Sequence, residues 1–161
     1  MKNILIVFIL LILSYLTYSQ ESYFVKGKGY YGYVFSKDQP FCGLPIERDR
    51  ISLTEENIFN AETILRNNIN TEYVKSCQFL WKKPPINKRT LKNYYRQYLG
   101  YINSNNEIIV RIYLTMKKCV ADIKELSDDL IIVYDGGYSY WYISINLQTQ
   151  QVLKMNINGE S

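Results

Sequence analysis

The chain has no histidine among its 161 residues. This absence excludes Ser-His-Asp triads, histidine general bases and histidine-ligated metal sites, because the residue that performs those chemistries is missing. Charge is also low and nearly balanced, with 19 lysines and arginines against 15 aspartates and glutamates and a formal net charge of +4. A surplus this small argues against nucleic acid, or an anionic membrane, as the dominant partner.

Cysteine is scarce as well. The three cysteines are Cys42, Cys77 and Cys119, and no C-x-x-C pair occurs. The missing pair argues against a thiol–disulfide redox enzyme, and a catalytic cysteine without histidine would need another base. In an oxidising compartment two of the three can form a disulfide, and all three pairings stay open. The third cysteine is then either a buried side chain that packs like a small apolar residue or a reactive thiol.

No apolar run is long enough to span a membrane. Residues 4–13 form an uninterrupted run of ten, against the roughly 20 that a spanning helix needs. Lys2 precedes this run, and Thr17 and Ser19 follow it as small residues two apart, which is typical of a secretory signal peptide. We therefore predict a signal peptide at residues 1–19, a single domain at residues 20–161, a periplasmic or secreted location and no stable membrane anchor after cleavage.

The first half of this domain holds an aromatic stretch and one helix. Residues 23–35 predict an irregular strand, kinked where glycines interrupt the aromatic side chains. Ser52 and Glu55 have capping-box spacing and predict the start of a helix. Apolar residues then recur at intervals of three, four and four positions, which places them on one face of this helix: Ile58, Ala61, Leu65 and Ile69. Residues 71–80 fit a second short helix or a strand.

The second half predicts an antiparallel meander of four strands. The first two strands, at residues 91–102 and 108–116, flank a five-residue polar loop. The third is formed by residues 130–134 and, after a turn, 138–147. The fourth follows another turn at residues 152–157. Alternation places Ile108, Val110, Ile112 and Leu114 on a core-facing side, and likewise Trp141, Ile143, Ile145 and Leu147. The expected fold is α+β, with one main helix packed on a curled antiparallel sheet of four to five strands, of the cystatin-like or cone-shaped pocket type.

The second half also resembles a known group of proteins. The similarity rests on the Y-x-R-Q-Y-x-G-Y-I pattern at residues 94–102, on Asp135-Gly136-Gly137 and on the C-terminal Asn158-Gly159-Glu160. Over residues 50–161 the chain resembles a group of small exported proteins of Bacteroidetes-type bacteria. This resemblance implies export and a single α+β domain, and it implies no activity and no site residues.

Three patterns are candidates for chemical sites. Asp135 beside two glycines is a candidate cation ligand or proton acceptor, and the same pattern is typical of a tight turn. The carboxylates Glu55, Glu56, Glu62, Asp122, Glu125, Asp128 and Asp129 contain no pair that the sequence brings together for acid–base work. A basic stretch at residues 82–92 fits a solvated loop or an anionic partner. We therefore predict no catalytic residue, no metal and no cofactor.

Tyrosine is the most unusual feature of the composition, with 16 residues. Alternation predicts that Tyr138, Tyr140 and Tyr142 share one strand face, and that Tyr94 and Tyr98 share another. Tyrosine combines an apolar ring with a polar tip, which suits protein interfaces, although it is also an ordinary strand residue. The leading hypothesis is a non-catalytic exported domain, such as an inhibitor or immunity-type protein, that binds another exported protein or an envelope glycan through these five tyrosines. The alternatives are a pocket for a small apolar ligand and a carboxylate-based enzyme.

Overall fold

One seven-stranded sheet and one main helix make up the fold. The computed structural model describes residues 22–41, 49–83 and 85–159. The strands are β1 (Ser22–Gly27), β2 (Tyr30–Phe35), β3 (Arg50–Ile51), β4 (Tyr94–Ile102), β5 (Ile108–Met116), β6 (Tyr140–Asn146) and β7 (Gln151–Ile157), and the helices are α1 (Glu55–Asn68) and α2 (Glu72–Ser76). The predicted α+β class with one main helix is confirmed, and the sheet has more strands than the four to five predicted.

The sheet order is β1-β2-β4-β5-β6-β7, with β3 paired to β4 beside β2. Strands β4 to β7 form the predicted antiparallel meander. In contrast, β2 runs parallel to β4, with Gly32, Tyr33 and Val34 opposite Arg96, Gln97 and Tyr98. A parallel pair needs a crossover connection, and here the crossover carries β3, α1 and α2. The helix therefore lies on one face of the sheet.

The stretch at residues 23–35 is a hairpin, so the prediction of a single irregular strand is wrong. Strands β1 and β2 pair over their whole length and are joined by Lys28 and Gly29. Gly29 has φ of 83°, a left-handed conformation that favours glycine and closes the two-residue turn. This hairpin accounts for part of the additional strand count.

Helix α1 carries the predicted apolar stripe, but it begins later than predicted. Its N-cap is Thr54, whose side-chain oxygen accepts a hydrogen bond from the Asn57 backbone N–H. The Asn57 side-chain oxygen accepts one in turn from the Thr54 backbone N–H. Glu55 is the first helical residue, and Ser52 instead accepts from the Lys37 N–H. The capping box is therefore shifted by two residues, because Leu53 is drawn into the core.

The sheet face beneath α1 holds the larger core cluster, and we call it the inner face. The stripe of α1 is fully buried there against alternate residues of the meander. These are Val110, Ile112, Leu114, Trp141, Ile143 and Ile145, as the alternation predicted. Burial of these aliphatic and aromatic side chains is the main stabilising contribution to such a core.

The opposite face, which we call the outer face, is crossed by the long connection between β5 and β6, residues 117–139. Leu130 of this connection packs there with Phe35, Leu99 and Tyr113 in a second, smaller cluster. Residues 130–134 form no strand, so that prediction is wrong. A side chain of β4, described below, binds the backbone of this segment in place of a neighbouring strand.

No helix in the described part of the chain combines the length and hydropathy of a membrane span. The predicted signal peptide at residues 1–19 and Cys42 both lie outside the described residues.

Candidate binding groove on the outer face

The outer face contains an open groove of about 410 Å³ beside the β5–β6 connection. One wall is formed by residues 131–134 of the connection, and the floor and second wall are formed by β5, β6 and residues 156–159. Its polar and aromatic side chains come chiefly from Arg111, Tyr113, Tyr134, Tyr140, Tyr142 and Asn156. We call this feature the tyrosine groove, and its volume is within the range of small-ligand and side-chain pockets.

Arg111 is held among tyrosine rings at the groove. Its guanidinium carbon lies 5.2 Å from the ring centre of Tyr101 and 5.4 Å from that of Tyr142. Its Nε donates to the hydroxyl of Ser144 at 3.2 Å. A second cation, Lys154 of β7, lies 5.7 Å from the Tyr142 ring. A cation is attracted electrostatically to the face of an aromatic ring, so these side chains form a positive and aromatic surface.

The connection that forms one wall of the groove is held by side-chain amides of the sheet and of the opposite wall. Gln97 of β4 is buried, and its Nε2 donates to the carbonyls of Leu126 (2.9 Å) and Asp129 (2.8 Å) while its Oε1 accepts from the Ile131 N–H (3.0 Å). Asn158 donates to the carbonyls of Val133 and Asp135. The groove is therefore preformed, because the connection is bonded on both sides of it.

Of the five tyrosines predicted to form a binding face, only two belong to the groove. Tyr140 and Tyr142 line it from β6 and are half-buried. Burial, with a contribution from the adjacent Cys119 thiol, raises the pKa of Tyr140. Of the three tyrosines predicted to share one face, these two lie on the side of β6 that faces away from α1.

Tyr94 and Tyr98 share a face of β4, as predicted, but that face is buried and cannot be the predicted binding face. Tyr94 and Tyr98 are 1% and 0% exposed and point to the inner face, where α1 covers them. Tyr94 donates its hydroxyl to the Tyr138 carbonyl at 2.9 Å. Tyr138 itself precedes β6 in a short 3-10 turn and packs against Trp81, so it does not extend the Tyr140 row.

Asp135 and its two glycines form a turn. Gly136 and Gly137 both have positive φ, 88° and 54°, as the predicted turn requires. The Gly137 N–H donates to the Gly159 carbonyl at 2.9 Å and connects this turn to the end of the chain. Among the described residues, no three Cys, Asp or Glu side chains converge as a metal site would need.

One of the carboxylates on the helix is buried. Glu62 of α1 pairs with Arg96 of β4, with Glu62 Oε1 2.9 Å from Arg96 Nε. The Tyr98 hydroxyl donates to the same oxygen at 3.0 Å. Glu62 is the one buried acid in the part of the chain that the structure describes, and its carboxylate is paired with Arg96. This pair therefore supports the fold and offers no second carboxylate for acid–base chemistry.

The thiols of Cys77 and Cys119 are both free in the structure. Cys119 is exposed and contacts the Tyr140 hydroxyl, whereas Cys77 is half-buried against the inner core. The described structure thus pairs neither of them.

A second groove, of about 820 Å³, lies between α1 and the β1–β2 hairpin. Charged side chains of both signs line it, among them Lys26, Lys28, Glu55, Glu56 and Arg66. Phe59 and Tyr30 supply aromatic surface. Six of the lining side chains are charged, three cations and three carboxylates, counting Glu62.

Sequence reasoning missed Arg111, Gln97 and Asn158 as the residues that build the tyrosine groove. On β5, alternation places Arg111 on the same face as Tyr113, opposite the aliphatic residues. This pattern is the one signal in the sequence that points to Arg111. Comparison with protein-family models, with curated proteins and with solved structures finds no match to this chain.

Proposed function

We propose that the chain is an exported, non-catalytic binding domain that holds another exported protein in the tyrosine groove. The observation that carries this proposal is the preformed groove lined by Tyr113, Tyr140 and Tyr142, with the Arg111 guanidinium over the Tyr142 ring. Tyrosine and arginine are the side chains most enriched at the energetic centres of protein interfaces. An inhibitor or immunity-type protein, periplasmic or secreted, is the version we favour, because such proteins need surface complementarity and no reactive motif.

The charge of the groove defines the partner further. Arg111 and Lys154 supply positive charge, and no acidic residue is found among the described residues that line it. We therefore expect the partner to present a carboxylate-bearing segment, because charges of opposite sign across an interface favour association. Tyr134, which is almost fully exposed at the groove wall, provides an aromatic side chain for first contact.

The test uses immobilised chain to capture proteins from an envelope extract of the organism that encodes it. Tyr142→Ser removes a central ring of the groove, and Tyr73→Ser removes an exposed tyrosine of α2, away from the groove, as the matched control. A protein retained by wild type and by Tyr73→Ser, and lost by Tyr142→Ser, supports the proposal. Equal retention by all three chains contradicts it.

An envelope glycan is the partner that the same experiment must distinguish. Aromatic rings beside Arg111 and Asn156 also suit a sugar, which stacks on rings and accepts hydrogen bonds. Digesting the extract with protease before capture separates the two, and a glycan array with the same three chains provides the direct measurement. Retention that survives digestion and array binding that Tyr142→Ser abolishes would assign the groove to a glycan and overturn the protein partner.

A pocket for a small apolar ligand is the second candidate, favoured by the 820 Å³ groove between α1 and the hairpin. Val25 and Tyr30 of the hairpin and Met155 of β7 join one cluster under α1, which supports a sheet that curls around the helix in the cystatin-like or cone-shaped manner. The charged lining disfavours an apolar ligand. If this candidate is correct, cis-parinaric acid binds wild type, and Thr63→Phe in the groove wall weakens that binding while Thr149→Phe does not.

A further inference from the structure

Two large apolar side chains are exposed side by side on a loop far from the tyrosine groove in sequence. Phe79 is 80% exposed and Leu80 is 61% exposed, and Tyr73 of α2 is also exposed nearby in the chain. Single exposed apolar residues are ordinary on protein surfaces, but adjacent ones indicate a contact site. We call residues 78–83 the Phe79 loop.

The Phe79 loop is held in place by a buried amide. Gln78 is 1% exposed, and its side chain donates to the Ile86 carbonyl at 3.0 Å and accepts from the Ile86 N–H at 2.8 Å. These two bonds close the loop as a pair of strand residues would. Trp81 packs edge-on against Tyr138, with ring centres 6.0 Å apart. Phe79 and Leu80 are therefore presented from an anchored backbone.

The charge around this loop is of one sign. No aspartate or glutamate occurs from residue 73 to residue 106, whereas Glu72 and Glu107 bound the stretch. The cations Lys82, Lys83, Lys88, Arg89 and Lys92 are all exposed. The Cα atoms of Leu80 and Lys83 are at most about 11 Å apart, because each residue advances the chain by about 3.8 Å. Leu80 and the cations Lys82 and Lys83 thus lie within one short segment, despite the low net charge of the whole chain.

We propose that the Phe79 loop docks on a lipid surface with anionic headgroups. Phe79 and Leu80 enter the boundary between headgroups and acyl chains, while the neighbouring lysines and Arg89 contact lipid phosphates. A soluble polyanion would use the cations and leave the adjacent apolar pair without a role. A lipid surface binds both the apolar pair and the cations. This contact would hold the domain at an envelope membrane and needs no membrane-spanning helix.

The test uses a reporter inside the loop, so that binding by any other segment gives no signal. Phe79→Trp in a Trp81→Phe background places a tryptophan at the loop tip, and the buried Trp141 gives a constant background. With vesicles containing one part phosphatidylglycerol to two parts phosphatidylcholine, we expect a blue-shifted emission and quenching by lipids brominated on the acyl chains. With phosphatidylcholine alone, or in high salt, we expect neither.

Matched variants assign the effect to the loop. In the reporter background, Leu80→Ser should weaken vesicle binding about tenfold or more, as expected from the loss of one buried leucine. Lys82→Glu with Lys83→Glu should weaken it further. The controls are Phe59→Ser, another exposed aromatic position, and Lys28→Glu with Lys37→Glu, an equal change of charge elsewhere. Both controls should bind as the reporter does, and all chains should keep the unfolding midpoint of the reporter.

Three outcomes overturn the proposal. The first is a reporter that shows no blue shift or quenching with anionic vesicles. The second is binding that Leu80→Ser and the double glutamate variant leave unchanged. The third is tight binding to soluble dextran sulfate, lost in the lysine variants, with no vesicle signal, which assigns the cations to a soluble polyanion.

Discussion

Glu62 of α1 and Arg96 of β4 form an ion pair inside the protein, with Oε1 and Nε 2.9 Å apart and side chains that are 2% and 0% exposed. Arg96 also donates from Nη1 to the Tyr94 carbonyl at 2.7 Å, and Tyr98 donates to Glu62. This network fixes α1 over β4. It also explains why Tyr94 and Tyr98 are unavailable to a partner, because both flank Arg96 on the inner face.

Removing the carboxylate should destabilise the fold strongly. Glu62→Ala leaves the Arg96 charge buried without its partner, so we expect the free energy of unfolding to fall by about 3–5 kcal/mol. Urea unfolding at neutral pH provides the measurement. Glu56→Gln, on the exposed side of the same helix, is the control and should cost at most about 1 kcal/mol. Similar losses in the two variants would contradict the buried pair.

The amide of Gln97 should hold the connection over the outer face. Gln97→Met keeps the side-chain length but leaves the Leu126 and Asp129 carbonyls and the Ile131 N–H without their partner. We expect the free energy of unfolding to fall by about 1–3 kcal/mol, and hydrogen exchange at the Ile131 amide to become faster. Gln151→Met, an exposed amide of β7, serves as the matched control. Unchanged exchange at Ile131 would show that the connection is held by other contacts.

Stability should fall at alkaline pH because of the inner-face tyrosines. Burial raises the pKa of both Tyr94 and Tyr98 above the ordinary 10.0. Below about pH 10 both folded and unfolded chains keep these protons, so the contribution to stability is fully present. Above it the unfolded chain ionises first, and the free energy of unfolding falls by up to about 1.4 kcal/mol per pH unit for each tyrosine until the folded pKa is reached.

Urea unfolding between pH 8 and pH 11.5 measures this slope. Tyr94→Phe and Tyr98→Phe each lose a hydrogen bond and should be less stable at pH 8, yet their stability should depend less on pH above 10. A slope that is the same in wild type and in the double phenylalanine variant would contradict a role for these two side chains.

Alternation along a strand identified which residues share a face, and it was correct on β5 and β6. It does not state which face a helix covers. On β6 the aliphatic residues Ile143 and Ile145 identify the core side. On β4 both faces contain tyrosine, and the buried face also carries Arg96. A buried arginine needs a partner from elsewhere in the chain, and Glu62 is 34 residues away. Local sequence therefore held no signal for that pair.

Residues 130–134 show a second limit of sequence reasoning. Their apolar, β-branched composition is typical of a strand, but strand formation needs a neighbouring strand with free backbone groups. Here Gln97 bonds the Ile131 N–H, and Leu130 is buried in the outer cluster. The segment thus becomes a groove wall, and the groove depends on long-range contacts that periodicity does not encode.

The measurement that tests the central claim most directly is capture of an envelope protein by immobilised wild type, Tyr142→Ser and Tyr73→Ser, quantified for each retained protein. Our account predicts at least one protein whose retention falls about tenfold or more with Tyr142→Ser and is unchanged with Tyr73→Ser, as expected when an interface loses a central aromatic side chain. A set of retained proteins that is the same for all three chains would contradict the proposal that the tyrosine groove is a binding site.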